Sequence, residues 1–157
     1  MQMSKHGRNS GLLLVGALGG IAGGLTEIAW ISAYGLATGA PLSPVARGIV
    51  DSTFPQFAAS AWAPALGILI HLGLAVALGI GLAIAVRQIA YRWASRHAEL
   101  GIAILVLLGV WSVNFLLVLP NINPGFVHLL PYGVTLVSKM LFGLSAAAIF
   151  RAQRLVR

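Results

Sequence analysis

The chain has 157 residues, 59% of them hydrophobic and 8% charged, with a mean hydropathy of +0.93 and a net charge of +7. Soluble domains carry about 25% charged residues, so too few charges are present to cover a water-exposed surface, and lipid is the solvent this composition fits. Nearly all of the ten Lys and Arg stand at the ends of long apolar runs or in the loops between them rather than in a patch, which argues against nucleic acid, and the absence of Cys excludes disulfides, iron–sulfur clusters, thiolate zinc sites and covalently attached c-type haem.

From the N-terminus, Lys5 and Arg8 precede an apolar run over about residues 11–37. It exceeds the roughly 7–15 apolar residues of a signal peptide, Glu27 interrupts it, and no small-residue cleavage site follows, so it reads as a retained first transmembrane helix. A loop of about residues 38–61 comes next. Ser43 as N-cap and Pro44 at the first helical position predict a short amphipathic, interfacial helix over 45–53, ended by Pro55. Residues of about 62–86 form a second apolar run, about 101–119 a third and about 132–150 a fourth, each near the 20 residues that cross a bilayer. Between the third and fourth lies a segment with Pro120, Pro124, Pro131 and Gly125, expected to break the helix and, being apolar, to fold back on the bundle or dip into the interface. No run alternates strictly, so barrel strands are a poor fit. The reading is an all-α polytopic membrane protein: a single domain of four transmembrane helices.

Basic residues orient it. Lys5, Arg8, Arg87, Arg92, Arg96, Arg151, Arg154 and Arg157 fall on one side and Arg47 alone on the other, which by the positive-inside rule puts both termini and the middle loop in the cytoplasm of a bacterial-type inner membrane. Tyr34, Trp62 and Tyr132 then mark the outer interface, and Tyr91 and Trp93 the inner one. Gly16, Gly20 and Gly24, with Gly19 and Gly23 beside them, let the first helix be approached closely. Packing within one bundle is preferred to a homo-oligomeric face, because every helix needs neighbours.

The informative residues are polar ones inside the runs. Glu27, His71, Asn114 and Lys139 come from four different helices, each roughly 8–14 Å below the outer end at about 1.5 Å per residue. Ionisable groups at such depths cost about 2.5–3.5 kcal/mol each, so they are expected to face inward and pair, Glu27 with Lys139, with His71 bridging and Asn114 satisfying leftover groups. Two meanings stay open: a buried ion-pair network that sets helix rotation, or a ligand site reached from the outer face. His71 and His128 are the available axial ligands for a b-type haem, but one is within a helix and the other in a loop. Glu27, His71 and His128 are conceivable metal ligands, opposed by Lys139 in the same layer. A single-His haem or a quinone also stays open. The apolar inner halves offer no polar path for a transporter, and no hydrolase, P-loop or dinucleotide motif is present.

The Gly-rich first helix with its acid (Gly19-Gly20-Ile21-Ala22-Gly23-Gly24-Leu25-Thr26-Glu27), the Ile70-His71-Leu72-Gly73 of the second and the Leu119-Pro120-Asn121-Ile122-Asn123-Pro124 hairpin together resemble small, functionally uncharacterised four-helix proteins of bacterial inner membranes. The resemblance implies the topology and no activity. With no room for a soluble catalytic domain and with glycine faces suited to docking, the expectation is a non-catalytic accessory or assembly subunit of a larger inner-membrane complex, such as a respiratory or other redox complex, with lipid, other membrane subunits or further copies of itself as partners. The alternative is a bundle that binds a small ligand, ion or cofactor at Glu27, His71, Asn114, His128 and Lys139.

Overall fold

The computed structural model describes residues 5–90 and 96–155, with side chains described for 10–89 and 100–153. The side chains of Lys5, Arg8, Tyr91, Arg92, Trp93, Arg96, Arg154 and Arg157, used above for orientation, lie outside the described residues. All regular structure among the described residues is helical: α1 (Lys5–Thr38), α2 (Ser43–Thr53), a 3-10 turn (Pro55–Phe57), α3 (Ala63–Ala90), α4 (Arg96–Val113), a π-helical stretch (Asn114–Val118), α5 (Leu119–Ile122), α6 (Pro124–Val127) and α7 (Tyr132–Leu155). Four stretches, Ser10–Thr38, Ala63–Ile89, Leu100–Ile122 and Tyr132–Gln153, are long and apolar enough to cross a membrane. In hydrocarbon a helix satisfies every backbone group within its own segment, so Leu-, Ala- and Gly-rich runs fold this way despite the modest helix propensity of glycine.

Helix α1 is the centre of the bundle, packed along α3 on one side and α7 on the other, while α4 lies against α7 and only lightly against α3. Two glycine rows make this possible. A Cβ on Gly20 would stand 2.3 Å from the Ala75 carbonyl oxygen and 2.7 Å from Val76 Cα, and one on Gly16 would stand 2.7 Å from Ile80 Cα, so the α1 and α3 backbones touch. Gly19 and Gly23 instead seat the rings of Phe150 and Phe142 from α7. Small residues thus allow the backbone approach that drives helix association where lipid competes for apolar contacts. At the end of α1, Gly39 adopts φ +74° and its N–H bonds the Gly35 carbonyl at 2.8 Å, a left-handed stop that L side chains rarely make.

The main core gathers Ala75, Leu82 and Val86 of α3, Leu107 of α4 and Phe142 and Phe150 of α7. A second cluster, Phe115, Leu119 and Val127 with Trp111 and Phe126, lies toward the end capped by α2 and α6.

Two local expectations are revised. Helix α2 begins at Ser43 with Leu42 in the N-cap position and no side-chain cap, so Ser43 and Pro44 are its first helical residues; a proline there forfeits an N–H that has no helical partner anyway. Pro120 does not end α4. The helix runs on to Ile122 because the preceding π-helical stretch shifts the carbonyl register that the proline ring would otherwise strike, and Asn121 Nδ2 donates to the Leu117 carbonyl at 2.5 Å. The break comes at Asn123 (φ −151°, ψ 77°). Beyond it α6 folds over the bundle. Asn123 caps α6 by accepting from Phe126 N–H and donates to Asp51 Oδ2 at 2.9 Å and Ser52 Oγ at 3.1 Å of α2, and the Phe126 ring lies against Gly48.

Candidate functional site

The α1–α7 interface is antiparallel and is tied by polar contacts at helical spacing. Thr26 Oγ1 gives its proton to the Ala22 carbonyl at 2.8 Å, so Ser145 donates to it across the interface at 2.9 Å. Trp30 Nε1 donates to the Val134 carbonyl at 3.0 Å. Between these ties sits Glu27, 3% exposed. Lys139 Nζ lies 2.8 Å from its Oε1 and donates to its Oε2 at 3.0 Å, while Ser138 Oγ reaches Oε1 at 3.1 Å and the Thr135 carbonyl at 3.0 Å, dividing one proton between them. The Lys139 ammonium also stands 5.6 Å from the centroid of the Phe142 ring. Thr135 Oγ1 donates to the Tyr132 carbonyl and accepts from Trp111 Nε1, both at 3.0 Å, linking the network to α4.

His71 approaches from α3. Its Nε2 is 3.6 Å from Glu27 Oε2, outside hydrogen-bond distance, and among the described residues it is the buried side-chain nitrogen or oxygen left without a hydrogen-bond partner. A buried unpaired polar atom costs about 1–3 kcal/mol, so the position asks for an explanation that packing alone does not supply.

Glu27, His71, Asn114, Ser138 and Lys139 all line one cavity of about 490 Å³. It lies where α3 and α4 fail to close on each other. Ala75 and Leu78 form its floor at the main core, α2 and the Phe126–Leu130 segment its roof, and Phe115 part of its wall. Ile68 and Leu74 on the α3 side and Val110 and Ile122 on the α4–α5 side line the cavity while themselves being exposed, so it opens sideways at the α3–α4 seam. The size and the largely apolar wall with a few convergent polar groups are those of a small-molecule site.

Of the residues singled out from sequence, the structure therefore brings Glu27, His71, Asn114 and Lys139 together. Asn114 opens the π-helical stretch, an irregularity that recurs at functional sites, and its side chain forms no hydrogen bond among the described residues. His128 is not part of the group: it follows α6, is exposed, and does not line the cavity. The paired-imidazole set for a haem and the Glu27, His71 and His128 set for a metal are thus not assembled, and among the described residues no three His, Asp or Glu gather as a metal site. Sequence reasoning missed Ser138 as a ligand of Glu27, although its position three residues after Thr135 on the Lys139 side of α7 was a usable signal. It also missed the indole donors Trp30 and Trp111. No protein-family model, curated protein or solved structure matches the chain, so the site is read on its own chemistry.

Proposed function

We propose that the chain is a multi-pass membrane protein with both termini cytoplasmic, whose α3–α4 cavity binds a small amphipathic ligand drawn from the bilayer. The observation that carries this is the convergence of an ion pair, hydroxyls, an amide and the His71 ring on a cavity of about 490 Å³ that is otherwise largely apolar and opens at a helix seam. An ion pair serving only to fix helix rotation needs none of the other three, nor the open volume. The charge distribution of the loops supports an orientation in which α2 and α6 roof the cavity on the non-cytoplasmic side.

Native mass spectrometry of the protein released from mild detergent tests it. Wild type is expected to retain one species of fixed small mass. The His71→Leu, Asn114→Leu double variant, which replaces unpaired polar groups by hydrocarbon and keeps the Glu27–Lys139 pair, is expected to fold and lose it. Equal retention by both proteins, or none by either, counts against the reading.

The accessory-subunit reading stands beside this one and is supported by a different feature. Gly73, Ala77 and Gly81 form an exposed row at four-residue spacing on α3, and a Cβ added at Gly73 or Gly81 would meet nothing within 4 Å. Such a row offers close approach to another membrane helix. A chain that stays alone and monodisperse after mild solubilisation of native membranes counts against it.

A further inference from the structure

A second concavity lies on the surface of the bundle. Helix α2 turns one side, with Ser52, to the α3–α4 cavity and the other, with Arg47 and Asp51, to a groove of about 420 Å³ completed by Ala58, Asn123, Phe126 and Leu129. Phe126 and Leu129 line both spaces and stand as the partition between them. We infer that this groove seats the phosphoethanolamine headgroup of a bilayer lipid, with the phosphate at Arg47 and the ammonium at Asp51. The groove is a separate site, independent of what the cavity holds.

Both charges are located by their contacts. Arg47 Nη1 donates to the Ala58 carbonyl at 2.9 Å and the Ser60 carbonyl at 2.8 Å, which uses both of its hydrogens and fixes the guanidinium at the Ala58 end of the groove. The remaining edge, Nε and Nη2, has no partner among the described residues. Nor is it buried, because His71 Nε2 is the sole buried and unpaired side-chain nitrogen among them. That edge presents two N–H groups side by side, the geometry that grips a phosphate with two bonds. Asp51 is exposed and held at the other end, where its Oδ2 accepts from Asn123 Nδ2 at 2.9 Å, and its Oδ1 has no partner among the described residues. The two residues stand one turn apart on α2, about 6 Å along the axis at about 1.5 Å per residue. Among the described residues they form no ion pair with each other.

A cation and an anion that face one groove without meeting fit a ligand that carries both signs on a short link. The free carboxylate oxygen takes an N–H, which a primary ammonium has and a choline group lacks. An anionic headgroup would satisfy Arg47 but bring Asp51 no cation, and a hydroxyl donates less strongly to a carboxylate than an ammonium does. The bilayer is the source because of where the groove opens. Phe54, Phe57, Trp62 and Tyr132 are exposed at the same end of the bundle, and Trp and Tyr concentrate at headgroup level. The apolar side chains of Phe126 and Leu129 then receive the glycerol end of the lipid rather than water.

The test is native mass spectrometry of the delipidated full chain in mild detergent, titrated with an equal mixture of phosphatidylethanolamine, phosphatidylcholine and phosphatidylglycerol of identical acyl chains. One phosphatidylethanolamine per chain is expected to bind saturably, about tenfold ahead of the other two, the worth of one charge-assisted hydrogen bond. Asp51→Asn, which keeps an oxygen for Asn123, should erase that preference, and Arg47→Gln should weaken all three lipids. A merely structural role for Asp51 would move stability but not the ranking of headgroups. Circular dichroism and the thermal transition check that each variant is folded. The His71→Leu, Asn114→Leu variant, altered in the cavity alone, should bind phosphatidylethanolamine as wild type does; loss of binding there places the lipid in the cavity and overturns the groove assignment. Wild type that ranks the three lipids alike or phosphatidylglycerol first, or Asp51→Asn that keeps the wild-type ranking, overturns it as well. Water-soluble glycerophosphoethanolamine is expected to compete weakly. If it displaces the lipid at equal concentration, the ligand is a soluble zwitterion and the assignment to a bilayer lipid is wrong.

Discussion

Removing one partner of the Glu27–Lys139 pair should be far more damaging than removing both. The two groups are 2.8 Å apart at closest approach, with Glu27 3% exposed and the Lys139 side chain 16% exposed. At the effective dielectric of about 20 that suits such sites, their attraction is about 6 kcal/mol. Most of it offsets the cost of taking both ions out of water, so the net worth of the intact pair is small. In Glu27→Gln the compensation disappears and a lysine ammonium remains in the bundle facing a neutral amide. In Lys139→Met the carboxylate keeps only the Ser138 hydroxyl, whose proton also has the Thr135 carbonyl to serve. Each single change is expected to destabilise by about 3–5 kcal/mol, toward the lower end for Glu27→Gln because Lys139 retains some exposure. Replacing both, Glu27→Met with Lys139→Met, exchanges the pair for hydrocarbon of similar volume and should fall within about 2 kcal/mol of wild type in either direction. Reversible unfolding by sodium dodecyl sulfate in mixed micelles, followed by circular dichroism, supplies the four free energies. The reasoning is refuted if the single variants cost under about 1 kcal/mol each, or if the double variant costs as much as their sum.

Other expectations follow from single contacts. Gly20→Val must push α1 off the backbone of Ala75 and Val76 and should cost about 1–3 kcal/mol or more, whereas Gly81→Ala, with nothing near the new methyl, should be neutral or stabilising by up to about 1 kcal/mol in the same unfolding assay. Asn123→Ala removes the α6 cap and both bonds to α2; amides of α2 and α6 should exchange hydrogen about tenfold faster while those of α1 are unchanged. Because the chain has no cysteine, Ala59→Cys and Ala152→Cys report topology cleanly. A membrane-impermeant maleimide should label the first in intact cells and the second only after lysis, and the reverse pattern would invert the proposed orientation.

What could be read without coordinates was set by rarity. In a chain this apolar, an acid, an imidazole, an amide and an amine inside long hydrophobic runs stand out, and their common depth follows from counting residues from each helix end. Opposite charges at one level pair with little choice, so the Glu27–Lys139 contact was legible. Ser138 was not, because a serine in a helix can satisfy itself on a carbonyl three residues back, as it does here with Thr135, and needs no distant partner to be there. The fate of His128 was equally hidden. A loop residue's direction is set by tertiary contacts, and these turn on Asn123 reaching α2, which no local pattern encodes. Pro120 misled because proline rules assume an α-helical register, and the π-helical stretch changes that register just before the ring arrives. The cavity was least visible of all, since a void is a property of which helices do not touch.

That absence of contact has an identifiable source in the distribution of small residues. Gly16, Gly20 and Gly24 of α1 face α3 and Gly19 and Gly23 face α7, and they draw these two helices in until backbones or rings meet. The glycines of α4, Gly101 and Gly109, have nothing within 4 Å, and α4 gains its closest approach at Gly143 of α7, which receives Leu107. No small-residue row faces α4 across from α3, so the two cannot close as α1 and α3 do. The gap widens toward the end where the π-helical stretch begins at Asn114 and α2 lies across the top. A bundle built only for stability would fill such a gap, because unfilled volume forfeits dispersion contacts on every wall. Here the walls instead carry the His71 ring and the Asn114 amide. The two seams lined by glycines of α1 close, and the α3–α4 seam, across which no glycine meets a neighbour, is the one left open.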